Sequence, residues 1–253
     1  MRKIIIDTDP GIDDAAAIAI AMFSPELDVQ LITTVSGNVS VEKTTHNALR
    51  LMTLWNAGVP VAAGASRSLT GMRYDAGDTH GESGMDGFAF DEVTVQPVKL
   101  HAVEAMRRVL ERSEEKVTLV PIGPLTNLAL LFVQYPEVKE KIEEIVLMGG
   151  AFLRGNITPA AEFNIYVDPE AADIVFRSGL PIVMCGLELA NMARITGPMV
   201  DAVRGNNPTA EMIYRLFEHY RDGDMESGLN MFDSTAVAYL LAPELYTTVD
   251  CFV

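Results

Sequence analysis

Cysteine is nearly absent from the chain: of 253 residues only Cys185 and Cys251 carry a thiol. Two thiols so far apart fit buried, reduced groups in a cytoplasmic protein better than a disulfide framework. Basic residues are scarce as well, 19 against 35 acids, for a formal net charge of −16. Nucleic acid and anionic membrane would both be repelled, so neither is expected as a partner. No apolar run reaches the length of a membrane span, and Arg2-Lys3, three isoleucines and then Asp7 make no export signal. Internal repeats, low-complexity tracts and linkers are missing. So is a G-x-G-x-x-G after the first apolar strand, which removes the dinucleotide fingerprint. What remains is an ordinary globular composition, 49% apolar and 21% charged, expected to fold as one domain over residues 1–253.

The densest chemistry lies in Ile4–Phe23, IIIDTDPGIDDAAAIAIAMF. Three isoleucines read as a buried strand and Ala15–Phe23 as an apolar helix, with Asp7, Asp9, Asp13 and Asp14 around Pro10-Gly11 between them. Carboxylates so close repel one another, and burial adds a desolvation cost. The positive end of the helix opened by Asp13 and Asp14 offsets part of this, and a bound cation would offset more. Oxygen-only ligands suit a hard ion, calcium or magnesium. An EF-hand is excluded: counted from Asp7, its glycine and glutamate positions hold Ile12 and Ile18.

Further strands are expected at Val29–Val35, Val59–Ala62, Val117–Ile122, Ile145–Met148, Ile182–Cys185 and Tyr246–Val253. Helices are expected at Val41–Trp55, Val98–Glu111, after Gly123 through Leu131, from Asp168 to Gly179, and at Glu211–Arg221 and Ser234–Leu241. Gly64–Gly87 reads as a long loop, functional or mobile rather than filler, and Phe152–Val167 reads as irregular and polar. The alternation predicts an α/β fold, a mostly parallel sheet with helices on both faces. The polar segments Asp7–Asp14, Ser36–Asn38, Ile122–Asn127, Met148–Asn164 and Glu188–Asn191 then fall at carboxyl ends of strands, the edge where open sheets of this kind bind ligands.

Each residue also has a plain structural reading. Asp7 is expected to brace the turn, Asn127 to start a helix, and His46 and His101 to lie on helix surfaces. Asn156, Glu162 and Asn164 would singly be loop polars. His80 is either a solvated loop residue or a proton-transfer group. Asp233 is either a helix N-cap or a distant carboxylate completing a cation site.

Five blocks in this order, DTDPGIDDA, TTVSGNV, PIGPLTNLAL, MGG and GNITPAAEFNIYVDPEAA, closely resemble the inosine–uridine-preferring nucleoside hydrolases, in particular the bacterial ribonucleoside hydrolases of broad purine and pyrimidine range. The resemblance implies a Rossmann-like architecture, calcium-dependent cleavage of the N-glycosidic bond to ribose and free base, and a homo-oligomer, dimer or tetramer. It implies that Asp9, Asp14, Asp233 and the Ile122 carbonyl hold calcium, and that Asp9 also takes a proton from water. Asp13, Asn38, Met148, Asn156, Glu162, Phe163 and Asn164 would line the ribose pocket.

The chain departs from the family at two places. Phe232 precedes Asp233 where the family commonly has a histidine that protonates the leaving base; phenylalanine can stack on a base but donates no proton. Loss of a general acid costs about 10²–10⁴-fold in rate, and His80 matches a second base-side histidine that would compensate in part. The family also continues past Val253, so exposed apolar surface is expected near the end of the chain. Two other functions compete: a non-catalytic nucleoside- or ribose-binding protein, and a phosphatase with Asp7 as nucleophile. The phosphatase needs a phosphate-binding lysine, and none occurs between Lys43 and Lys99 or after Lys141.

Overall fold

A computed structural model of the chain describes residues 1–74, 81–220, 226 and 228–253. Strand β1 (Arg2–Thr8) has its isoleucines almost fully buried, as an interior strand covered on both faces requires. Helix α1 (Ile12–Phe23) follows Pro10-Gly11. Strand β2 (Leu27–Thr34), helix α2 (Val41–Leu54) and short strand β3 (Val61–Ala63) come next, then, past the long loop, α3 (Ala102–Arg112), β4 (Val117–Pro121), α4 (Thr126–Gln134) and β5 (Ile142–Met148). Short α5 (Phe163–Val167) leads into α6 (Pro169–Phe176) and β6 (Ile182–Cys185). The rest comprises α7 (Leu187–Met192), β7 (Arg194–Ile195), α8 (Gly197–Val203), α9 (Pro208–His219), β8 (Leu229–Asn230) and α10 (Ser234–Leu241).

Six strands form one parallel sheet in the order β3-β2-β1-β4-β5-β6. Successive strand residues face opposite sides, which builds two apolar layers. Ile4, Ile6, Val120, Val146 and Met148 pack with α1, α2, α9 and α10 on one face. Ile5, Leu31, Leu119, Ile145 and Leu147 pack with α3, α4 and α6 on the other. The α/β expectation with helices on both faces therefore holds. Chain direction across the sheet reverses between β1 and β4, and a crevice opens beyond the carboxyl ends of strands at such a point. Residues 7–14 and 122–127 emerge there.

Several local expectations change. The third strand and the 98–111 helix begin later than expected, the helix because His101 caps it by accepting the Val103 N–H at 3.3 Å. The 152–167 segment is irregular only as far as Glu162, whose cap starts α5. Residues 246–253 form no strand: an extended segment needs a ladder partner for its backbone, and none is present among the described residues. Val249, Phe252 and Val253 are exposed there. No helix among the described residues is long and apolar enough to cross a membrane.

Candidate active site

The aspartate turn is built by its own backbone. Gly11 is the N-cap of α1, and Asp14 at the third helical position turns back to accept the Gly11 N–H at 2.9 Å. Thr8 Oγ1 donates to the other Asp14 oxygen at 2.5 Å. Asp13 and Asp14, in the first turn, face the positive end of the helix. Asp7 takes the bracing role, through side chains instead of backbone: Thr33 Oγ1 and Asn127 Nδ2 donate to its Oδ1 at 2.6 and 2.8 Å. Burial pushes the Asp7 carboxyl up to about 7, against the lowering effect of those two bonds.

Asp9 is buried in a tight seat. Its Oδ2 accepts the Asn38 N–H at 2.7 Å, while the Asn38 side-chain amide donates to the Asp9 carbonyl at 3.1 Å and to Asp14 Oδ2 at 3.2 Å. A Cβ at Gly37 would stand 2.1 Å from Asp9 Oδ2, and one at Gly123 2.4 Å from Oδ1. Both glycines are thus required by close approach to this carboxylate. Asp9 Oδ1 is buried and has no hydrogen-bond partner among the described residues.

Asp233 arrives from the far end of the chain. It occupies the N-cap position of α10 but makes no side-chain cap bond; one oxygen each from Asp13, Asp14 and Asp233 lies within 4.8 Å of the others. Asp233 thus stands at the start of α10 without capping it and lies beside Asp13 and Asp14. Desolvation first, then the charges of Asp13, Asp14 and Asp9, push Asp233 well above the usual carboxylate range. Asp9 is raised by desolvation and then by Asp14 and Asp13, against the Asn38 N–H. Four buried acids that repel one another are the donor set a hard cation relieves. The geometric trio contains Asp13, to which the resemblance gave a ribose role, and omits Asp9.

On the β5 side, Asn164 Nδ2 donates to the carbonyls of Ile122 and Met148, both at 3.1 Å, linking the ends of β4 and β5 to α5. Glu162 is buried as the cap of α5, accepting the N–H groups of Gly150, Asn164 and Ile165 at 2.9, 3.0 and 3.2 Å. Burial still outweighs those bonds and raises it. Phe163 and Phe232 are partly buried; Asn156 is exposed in the loop before Glu162. His80 lies outside the described residues. His46 is exposed, as expected.

Sequence reasoning missed three supports. Thr8 is hidden inside the D-T-D block. Asn127 does more than open a helix, since it also donates to Thr34 O and accepts the Ala65 N–H at 3.0 and 2.9 Å. Asn47, buried in α2, donates to Pro10 O at 3.0 Å and Ser83 O at 2.8 Å, tying the aspartate turn to the returning end of the long loop. A polar residue on the apolar stripe of α2 was the available signal for Asn47.

Comparison with known proteins returns a consistent set. The family profile described as inosine-uridine preferring nucleoside hydrolase matches residues 4–253. The non-specific ribonucleoside hydrolase RihC of Klebsiella pneumoniae is 56% identical over 250 residues, 99% of this chain and 82% of that protein. Its counterpart from Salmonella paratyphi B is 55% identical over the same shares. Among solved structures, a purine-preferring ribonucleoside hydrolase from Gardnerella vaginalis superposes with a TM-score of 0.93 at 32% identity, covering 98% of this chain and 82% of that one.

Proposed function

Because the chain belongs to the inosine–uridine preferring nucleoside hydrolase family, we propose that this N-glycosidase hydrolyses ribonucleosides to ribose and free base with the help of calcium. The observation that carries the reading is the convergence of Asp9, Asp13, Asp14 and Asp233, all buried, at the reversal point of the sheet. Asp9, Asp14, Asp233 and the Ile122 carbonyl would hold the ion, with Asp13 beside Asp14 and Asp233. Bound calcium supplies positive charge that makes a water more acidic and orients ribose hydroxyls.

The chain's own groups do the rest. Asp9 accepts the proton of the attacking water at Oδ1, the oxygen without a partner, while Oδ2 stays fixed by Asn38. As the glycosidic bond lengthens, positive charge grows on the ribose ring, and fixed negative groups stabilise it. Asp13, Asn38, Met148, Asn156, Glu162, Phe163 and Asn164 line the ribose side and set its orientation. Phe232 offers the base a stacking face and no proton, so departure of the base is slow unless His80 supplies one. The protein is expected to work in the cytoplasm as a dimer or tetramer, which light scattering checks.

The test is equimolar appearance of reducing sugar and free base from inosine, uridine or cytidine. Release of both supports hydrolysis; nucleoside binding without release identifies a binding protein instead.

A further inference from the structure

The chain leaves β5 after Met148 and reaches the cap of α5 at Glu162, which accepts the Gly150 and Asn164 N–H groups and so ties the two ends of this loop together beside the residues assigned above to the ribose. Between them it is tied to itself. Gly155 N–H donates to Pro159 O and Ile157 N–H to Ala161 O, at 3.3 and 3.2 Å. Thr158 Oγ1 accepts the N–H groups of Ala160 and Ala161 at 3.2 and 2.9 Å. Little apolar burial holds this knot to the body, since Phe152, Leu153 and Ile157 are 60%, 86% and 47% exposed.

The anchor is polar and comes from another strand end. Glu188, in the first turn of α7 beyond β6, accepts the Leu153 N–H at 2.7 Å through Oε1 and the Phe152 N–H at 3.1 Å through either oxygen. Bonds from amides to an ionised carboxylate belong to the stronger class. Partial burial would raise Glu188, but the Leu153, Phe152 and Arg154 amides outweigh it and hold the group below its ordinary range. The neighbouring Leu187 N–H donates to Gly150 O at 3.0 Å, so the β6 turn grips the loop at its base as well.

We propose that Glu188 is a positioning residue for the nucleoside: its carboxylate holds the 151–161 loop, and with it Asn156, at the ribose side of the site. The proposal rests on the nucleoside reading above. Glu188→Ala frees the Phe152 and Leu153 amides without removing any group assigned to the ion or to Asp9. Glu188→Gln keeps one acceptor oxygen and no charge, and so restores part of the grip.

Steady-state kinetics, calcium titration and hydrogen–deuterium exchange on the full chain test this. Glu188→Ala is expected to raise KM about tenfold with kcat within about threefold, the pattern of lost binding rather than lost chemistry. Calcium affinity stays unchanged, exchange accelerates only in peptides covering 151–161, and Glu188→Gln falls between Glu188→Ala and the parent. Unchanged KM and exchange overturn the proposal, as does a parallel fall in kcat and calcium affinity. If the parent protein hydrolyses no nucleoside, the hydrolase reading fails by itself, and the ribose dissociation constant replaces KM in the same comparison. A protein that binds neither nucleoside nor ribose overturns both.

Discussion

Asp9 has one oxygen fixed by Asn38 and one buried without a partner among the described residues, and on the proposed reading the second oxygen is the base. Asp9→Asn keeps the shape and removes the base. Its kcat is expected to fall by about 10²–10⁴-fold, a larger loss than in ribose affinity, which calorimetry on the variant measures. Phe232→His tests the other side of the reaction and should raise turnover of at least one nucleoside, whereas an unchanged rate would mean that position 232 does not govern departure of the base. Asp7 makes a different prediction, for protein stripped of metal. Its folded value of about 7 lies above the ordinary aspartate value of 3.8, so the folded state binds more protons between those limits. Stability from this group is therefore greatest at low pH and falls as pH rises from about 4 to about 7. Asp9 and Asp233 act in the same direction. Asp7→Asn should flatten this slope in part, giving a gain on the order of 1–2 kcal/mol at pH 8 that vanishes near pH 4. Denaturant unfolding at the two pH values, in chelator, measures it.

Among the elements, the strand–turn–helix of residues 2–23 was legible, because buried isoleucines, Pro-Gly punctuation and acids at a helix start all pointed the same way, although the helix begins at Ile12 and not at Ala15. Helix α5 was not. It is five residues long, too short to show a period, and it depends on Glu162 collecting three N–H groups. Glu162→Ala should cost about 1–2 kcal/mol in urea unfolding, the usual cost of a lost cap. It should also weaken ribose binding by releasing Asn164. The strand expected at 246–253 failed for the opposite reason: apolar alternation marks a segment that could pair, and pairing also needs a neighbour that sequence does not reveal. Asp233 was legible only as two alternatives, since whether it caps α10 or turns toward α1 is decided by packing between segments more than 200 residues apart in the chain.

At the scale of the whole molecule, the fold was readable from the alternation of strands and helices, while the strand order was not. That order matters for function: placing β1 beside β4 brings Asp9 against Gly123 and leaves room for Asp233 from the last helix. Burying four acids together runs against stability in a chain already at −16, and a cation is the simplest relief. The central claim is that this cluster works as a calcium-dependent hydrolytic centre. Its most direct test is reducing-sugar release from inosine and uridine after chelation and again after calcium is restored, in the parent protein and in Asp233→Asn. Release should be lost with the ion and regained with calcium in the parent, and not regained in the variant at the same calcium concentration. Release that continues undiminished in chelator would contradict the account.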